Sequence, residues 1–437
     1  VLMWTILTVI FVWRYMETRR LPWLLALAAV LAFHATDKST SFLTVAMFVI
    51  FLAFVALVQF GYSKDGAGNV ATAIKFVAVV ALAMLLLSAI VELLTTVLLG
   101  ALDLKSVVAQ TSPIVLLQFD PKTVIFGLVI LVIGVGAAIG LAFLLKRQFG
   151  DWVATVGQEA PAFDVLVVLV TTTLFVGASA MLLVINPVFK LLRGSPVLDV
   201  KTLGEVSQLS FNPQALTTMF ALTVALAAIS VGIGLAWGWR RYAAVIGIFL
   251  GITLPLFTTL FTNLAGIGTG FVGQLGYWMA QQDVQRGTQP WFYYFLLVPL
   301  YEYLVLLGSL GGIAYILAGR GLKNEEIPEE EPDPKGKPKT RIMAFGPVEI
   351  EVADFGNRFD FRQWLSPSRS LQLFLVWWAL ATFMIYSLAG EKMPWLTVHI
   401  ALPMALLTGF FFNELITSVG PRWRASPRIA RRPTCRG

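Results

Sequence analysis

Apolar blocks close to 20 residues long recur along this chain, and they constrain everything else about it. A helix needs about 20 such residues to cross roughly 30 Å of hydrocarbon. Lipid offers no partners to backbone groups, so only helices or closed barrels can span it. Barrel strands would be runs of roughly 10 residues alternating in polarity, and the sequence does not read that way. Composition agrees. Of 437 residues, 57% are hydrophobic and 13% charged, against about 25% charged in a soluble domain. So few charges could not shield this apolar surface from water. The predicted fold class is an all-α polytopic membrane protein.

About eleven hydrophobic segments can be read on the length criterion: 1–13, 21–33, 42–60, 76–99, 124–145, 165–184, 216–237, 242–260, 291–317, 371–388 and 395–412. The first two are short for full crossings. Basic residues fall in every second connection: Arg14, Arg19 and Arg20, then Lys64 and Lys75, Lys146 and Arg147, Arg240 and Arg241, the 320–369 loop, and the C-terminal tail. The positive-inside rule then predicts the N-terminus outside and the C-terminus in the cytoplasm. A net charge of +7 is thereby read as loop charge, not as a nucleic-acid footprint.

The sequence divides into a bundle over 1–318, a cytoplasmic linker over 319–370, a transmembrane pair over 371–416 and a basic tail over 417–437. The linker stretch "NEEIPEEEPDPKGKPKTR" is Pro-rich and charge-segregated, a composition that cannot bury a core. "RIMAFGPVEIEVADFG", which follows, alternates apolar and polar residues and predicts a small hairpin. The start inside an apolar run and the abrupt Arg/Pro-rich end together predict a fragment of a longer gene. A single cysteine, Cys435, excludes an internal disulfide.

Polar motifs gather in the predicted outer loops 34–41, 100–123, 186–214, 262–290 and 389–394. "FHATDKSTSF" carries Asp37 and Lys38. They read as the mouth of a cavity, or as a solvated turn whose hydroxyls cap the next helix. In the 262–290 loop Gly268, Gly270 and Gly273 form a literal GxGxxG. No strand precedes it, so a dinucleotide site is rejected, and close packing of a re-entrant or surface-lying segment is expected. Trp278, Arg286, Gln289, Trp291 and Tyr293 follow. The aromatics suit either an interfacial belt or stacking on a sugar, and Arg suits a bidentate grip on phosphate.

Glu302 falls eleven residues into the 291–317 segment, about 16 Å deep if that helix is straight. An unpaired carboxylate at that depth costs several kcal/mol, roughly 3 or more. Glu92 lies nearer an outer end. "GEKMPWLTVHIALP" puts Glu391 and Lys392 in a very short loop, with His399 about a turn into the next span. The three suit an anion site; a tight turn with an interfacial ion pair is the alternative. No zinc, Walker or Cys/His pattern occurs, and no metal or resident cofactor is expected.

Three of these stretches, "GEKMPWLTVHIALP", "YWMAQQDVQRGTQPWFYYFLLVPLYE" and, more loosely, "FHATDKSTSF", resemble membrane glycosyltransferases of the C-type superfamily. The group in question is the bacterial and archaeal proteins akin to protein O-mannosyltransferases. The resemblance runs from the first segment to about Phe412. It implies a multi-span fold with an extracytoplasmic active site and a sugar donor carried on polyprenyl phosphate. A carboxylate would act as general base and cations would steady the phosphate. By this resemblance Arg286 and Lys392 contact phosphate, and Asp37, Glu391 and His399 hold the cavity's hydrogen bonds. Trp278, Trp291 and Tyr293 would stack on sugar or prenyl chain. The family has an Ala-Thr-Lys-Glu type sequence where this chain has Ala-Thr-Asp-Lys. Its catalytic acid lies in a first outer loop, and nothing before Arg14 is acidic. The resemblance therefore implies a substrate-binding remainder without the catalytic loop. A transporter or lipid-linked-sugar flippase, and a structural subunit of a membrane complex, stay open as alternatives.

Overall fold

The computed structural model describes residues 1–38, 41–63, 65–102, 121–197, 213–264, 266–276, 289–317, 340–345, 348–353 and 366–424. It divides into two compact units. One comprises Val1–Pro290 with Leu388–Lys392; the other comprises Trp291–Ser387 with Met393–Gly437. The division therefore falls ahead of the helices that the sequence groups with the first bundle.

The first unit opens with a helical hairpin, α1 (Leu2–Thr18) and α2 (Leu21–Asp37). Arg19 is left-handed at the C-cap, with φ 55°, Arg20 is extended, and a proline sits in the first turn of α2, where its missing N–H costs nothing. Trp4 stacks on Phe33 at 5.0 Å and Phe11 on Trp23 at 5.9 Å, which fixes the antiparallel register. Each helix is 17 residues long, longer than its apolar segment suggests. α2 runs on through His34 to Asp37, which corrects the expected loop boundary at 34.

α3 (Ser41–Gly61), α4 (Gly66–Ala101) and α5 (Pro121–Phe149) follow. α6 (Pro161–Thr173) and α7 (Ala178–Arg193) meet at a bend of 84°, so the segment read as one span over 165–184 is broken. Thr171, Thr172 and Thr173 each hydrogen-bond back to a carbonyl three or four residues earlier. Back-bonding of this kind bends helices.

α8 (Pro213–Phe257) is the central element, packed against α2, α4, α5 and α6. It joins the segments 216–237 and 242–260 with no loop, turning at Gly238, whose φ of +148° is closed to most side chains. Beyond it, Thr259, Leu260 and Phe261 are all left-handed, a costly conformation. The Thr258 hydroxyl, which accepts the Phe261 N–H at 3.0 Å, helps to hold it. The chain then re-enters the unit as a π-helical turn, Thr269–Gly273. A methyl group on Gly270 would overlap the Phe257 ring, so that glycine of the three serves close packing, as expected from sequence. Ser179 closes the contact by donating to the Val272 carbonyl at 2.9 Å.

In the second unit α9 (Tyr293–Tyr301) and α10 (Tyr303–Leu317) are bent by 101°. Pro299 inside α9 removes a backbone donor and crowds the preceding turn. The strands β1 (Thr340–Phe345) and β2 (Val348–Ala353) pair antiparallel, with Phe345 opposite Val348. This is the hairpin that the alternating pattern predicts. α11 (Pro367–Leu388) and α12 (Thr397–Arg424) complete the unit. α12 packs on α10, where a side chain on Gly308 would collide with Thr408 and one on Gly312 would press on the Leu407 carbonyl. Small residues four apart let membrane helices approach this closely.

Among the described residues six helices are long and apolar enough to cross a membrane, or eight if each bent pair is one span. The chain is a membrane-embedded helical protein.

Candidate functional site

The second unit brings two of the sequence motifs into direct contact. Tyr294, fully buried, donates its hydroxyl to the Met393 carbonyl at 3.0 Å and accepts the Met393 N–H at 3.2 Å. Met393 is extended, at φ −131° and ψ 148°, as a residue before proline must be. Pro394 then opens a 3₁₀ turn to Leu396, and α12 begins at Thr397. One phenol thus fixes both backbone groups of the residue that follows Lys392.

His399 lies in the first turn of α12, as expected, and its ring stacks on Tyr386 of α11 at 5.4 Å and 12°. Trp291 and Trp395 stay 63% and 62% exposed, open for stacking on a ligand or for seating at a bilayer interface. Trp291 packs edge-on against Phe292 and Phe295, and Phe295 against Phe383 at 4.7 Å. Tyr293, half-buried, meets Tyr294 edge-on at 5.1 Å. Glu302 is half-buried. It sits at the 101° bend between α9 and α10, so a depth counted along a straight helix from Trp291 does not apply to it.

The other expected site residues belong to the first unit or precede the second. Lys392 is buried, and its Nζ donates to the Ala389 carbonyl at 2.7 Å. Glu391 forms no ion pair with it, and the Lys392–Ala389 bond closes the short loop as a turn. Asp37 ends α2, exposed, with the Val1 amino group 2.5 Å from its Oδ2. Lys38 is exposed. Gln289 is exposed just ahead of Pro290. Trp278 and Arg286 lie outside the described residues. Glu92 is buried in α4, on one face with Ser88 and Thr95. Among the described residues no group of three or more His, Cys, Asp or Glu could hold a metal ion.

The best-built polar network is one that motif reading passes over. Asp164, in the first turn of α6, is buried. It accepts hydrogen bonds from the Tyr15 hydroxyl of α1 and from the Trp237 indole N–H of α8 at 2.7 Å. The Arg241 guanidinium lies 4.5 Å from the centroid of the Trp237 ring and donates to the carbonyls of Ala154 and Trp237 at 2.9 and 2.6 Å. Arg19 donates to the Gln158 carbonyl. The residues are too far apart in sequence to form a motif; one acid in "PAFDVLVVLV" was the only available signal.

No protein-family model matches this chain, and neither a curated protein nor a solved structure does.

Proposed function

We propose that the chain is the membrane-embedded, substrate-binding part of a glycosyltransferase that moves a sugar from a polyprenyl-phosphate donor to an acceptor on the extracytoplasmic face. The observation that carries this reading is the Tyr294–Met393 junction. The two motifs most specific to the resemblance meet there through one buried hydroxyl. In this reading Lys392 and Arg286 neutralise donor phosphate, and aromatic side chains stack on sugar or prenyl chain. The transmembrane count is eleven, obtained by dividing α8 at Gly238, counting each bent pair as one span and admitting α1 and α2 as short crossings that thin the bilayer locally. The N-terminus lies outside and the basic loops face the cytoplasm of a prokaryotic plasma membrane.

The test is transfer of labelled sugar from a polyprenyl-phosphate donor by the full-length protein in membranes. Lys392→Ala should abolish transfer; unchanged turnover would remove Lys392 from the site. A transporter or flippase is the second reading, favoured by the two broken helices and by Glu302 at one break. Movement of the labelled lipid-linked sugar across the bilayer with no transfer to any acceptor would select it.

A further inference from the structure

The sequence "WGWRR" around Gly238 separates into two pairs. Trp237 and Arg241 turn inward, Trp237 onto Asp164 and Arg241 onto the Trp237 ring and the Ala154 carbonyl. Trp239 and Arg240 turn outward. Trp239 is 62% exposed, and the Arg240 guanidinium lies over its ring, 5.3 Å from the centroid.

Two close approaches fix what stands beside this corner. A methyl on Gly134 of α5 would meet Val224 Cγ1 of α8 at 2.5 Å, and one on Gly232 of α8 would meet Leu141 Cδ2 of α5 at 2.9 Å. Leu141 follows Gly134 by seven residues and Gly232 follows Val224 by eight, so the two helices run parallel in a fixed register. Carried five residues further, to the last residue before the turn at Gly238, that register brings Lys146 level with Trp237. Lys146 and Arg147 therefore stand at the end of α5 beside the corner that carries Trp239 and Arg240.

All three cations are exposed, and none has a hydrogen-bond acceptor or carboxylate partner among the described residues. Asp151, the next acid along the chain, pairs with none of them. Phe143 and Leu144, about a turn earlier on α5, are 66% and 43% exposed, as lipid-facing side chains are. The cations thus begin where lipid-facing surface ends, the height of headgroup phosphates, and an indole beside them suits the same interface.

We infer that Lys146, Arg147, Arg240 and Trp239 form a binding site for the headgroup of an anionic phospholipid. The inference is independent of the glycosyltransferase reading. Cations near a charged leaflet each add roughly the same increment of attraction. Neutralising one should weaken binding about five-fold, and all three about 100-fold.

The test uses the full chain in detergent micelles titrated with bromine-labelled phosphatidylglycerol or phosphatidylcholine. The signal is the tryptophan quenching lost in Trp239→Phe. Saturable quenching by phosphatidylglycerol alone is expected, weakened about 100-fold in the Lys146→Gln, Arg147→Gln, Arg240→Gln triple variant and retained in Arg240→Lys. Equal quenching by phosphatidylcholine, or an unmoved curve in a triple variant that melts like the parent, would overturn the site. Displacement of the lipid by inorganic phosphate at equal concentration would overturn the lipid assignment in favour of a free anion.

Discussion

The Asp164 network and the Tyr294–Met393 junction are built in opposite ways. At Asp164, three helices each contribute one polar side chain to an apolar surrounding, and the groups satisfy one another. At the junction, two motif-rich stretches meet, yet the tie is from one phenol to backbone, and the nearby Trp291 and Trp395 remain more exposed than buried. Isolated polar residues in apolar helices hold helices together, because an unmet polar group there is costly. Dense polar loops leave side chains free to meet a ligand.

That contrast is broken or sharpened first by Asp164→Ala. It leaves the Tyr15 hydroxyl and the Trp237 N–H buried without their acceptor, so a loss of about 3–5 kcal/mol is expected, read as a lowered melting temperature in detergent. A variant melting like the parent would mean the network does not hold the three helices. Tyr294→Phe removes both bonds to Met393 and should cost about 1–2 kcal/mol. Its clearer signature is faster protease cleavage within 389–396 and weaker sugar transfer per folded molecule. Asp164→Asn, by contrast, should leave transfer per folded molecule unchanged. His399→Ala forfeits the stack on Tyr386, about 1 kcal/mol, and a larger drop would mark a structural histidine. Glu17→Gln breaks the exposed pair with Arg14, whose oxygen–nitrogen distance is 3.3 Å; less than about 0.5 kcal/mol should follow.

The candidate site is legible in sequence only as a set of motifs. His399 does stand in the first turn of α12, and the hairpin does form over 340–353, because local periodicity and the proline at 394 decide both. The pairing of Tyr294 with Met393 was not readable, since nothing local links residues 99 apart. The straight helix that gave Glu302 its depth failed for a reason present in the sequence, Pro299. The break after Thr173 likewise follows three adjacent threonines. Hydropathy averages over such side chains, so both bends disappear into continuous apolar runs.

By itself, then, the sequence determined that the chain lives in a membrane as helices. Backbone groups in lipid have no other partner than their own segment, and 20-residue apolar blocks leave no competing solution. Only tertiary structure decided which polar residues are spent on architecture. Asp164, Tyr15 and Trp237 are bound to one another, while Trp239 and Arg240, two and one residues from Trp237 and Arg241, face outward. Neighbours in sequence were parted because Gly238 turns the chain between them, and no periodic pattern encodes which side of such a turn faces the bundle.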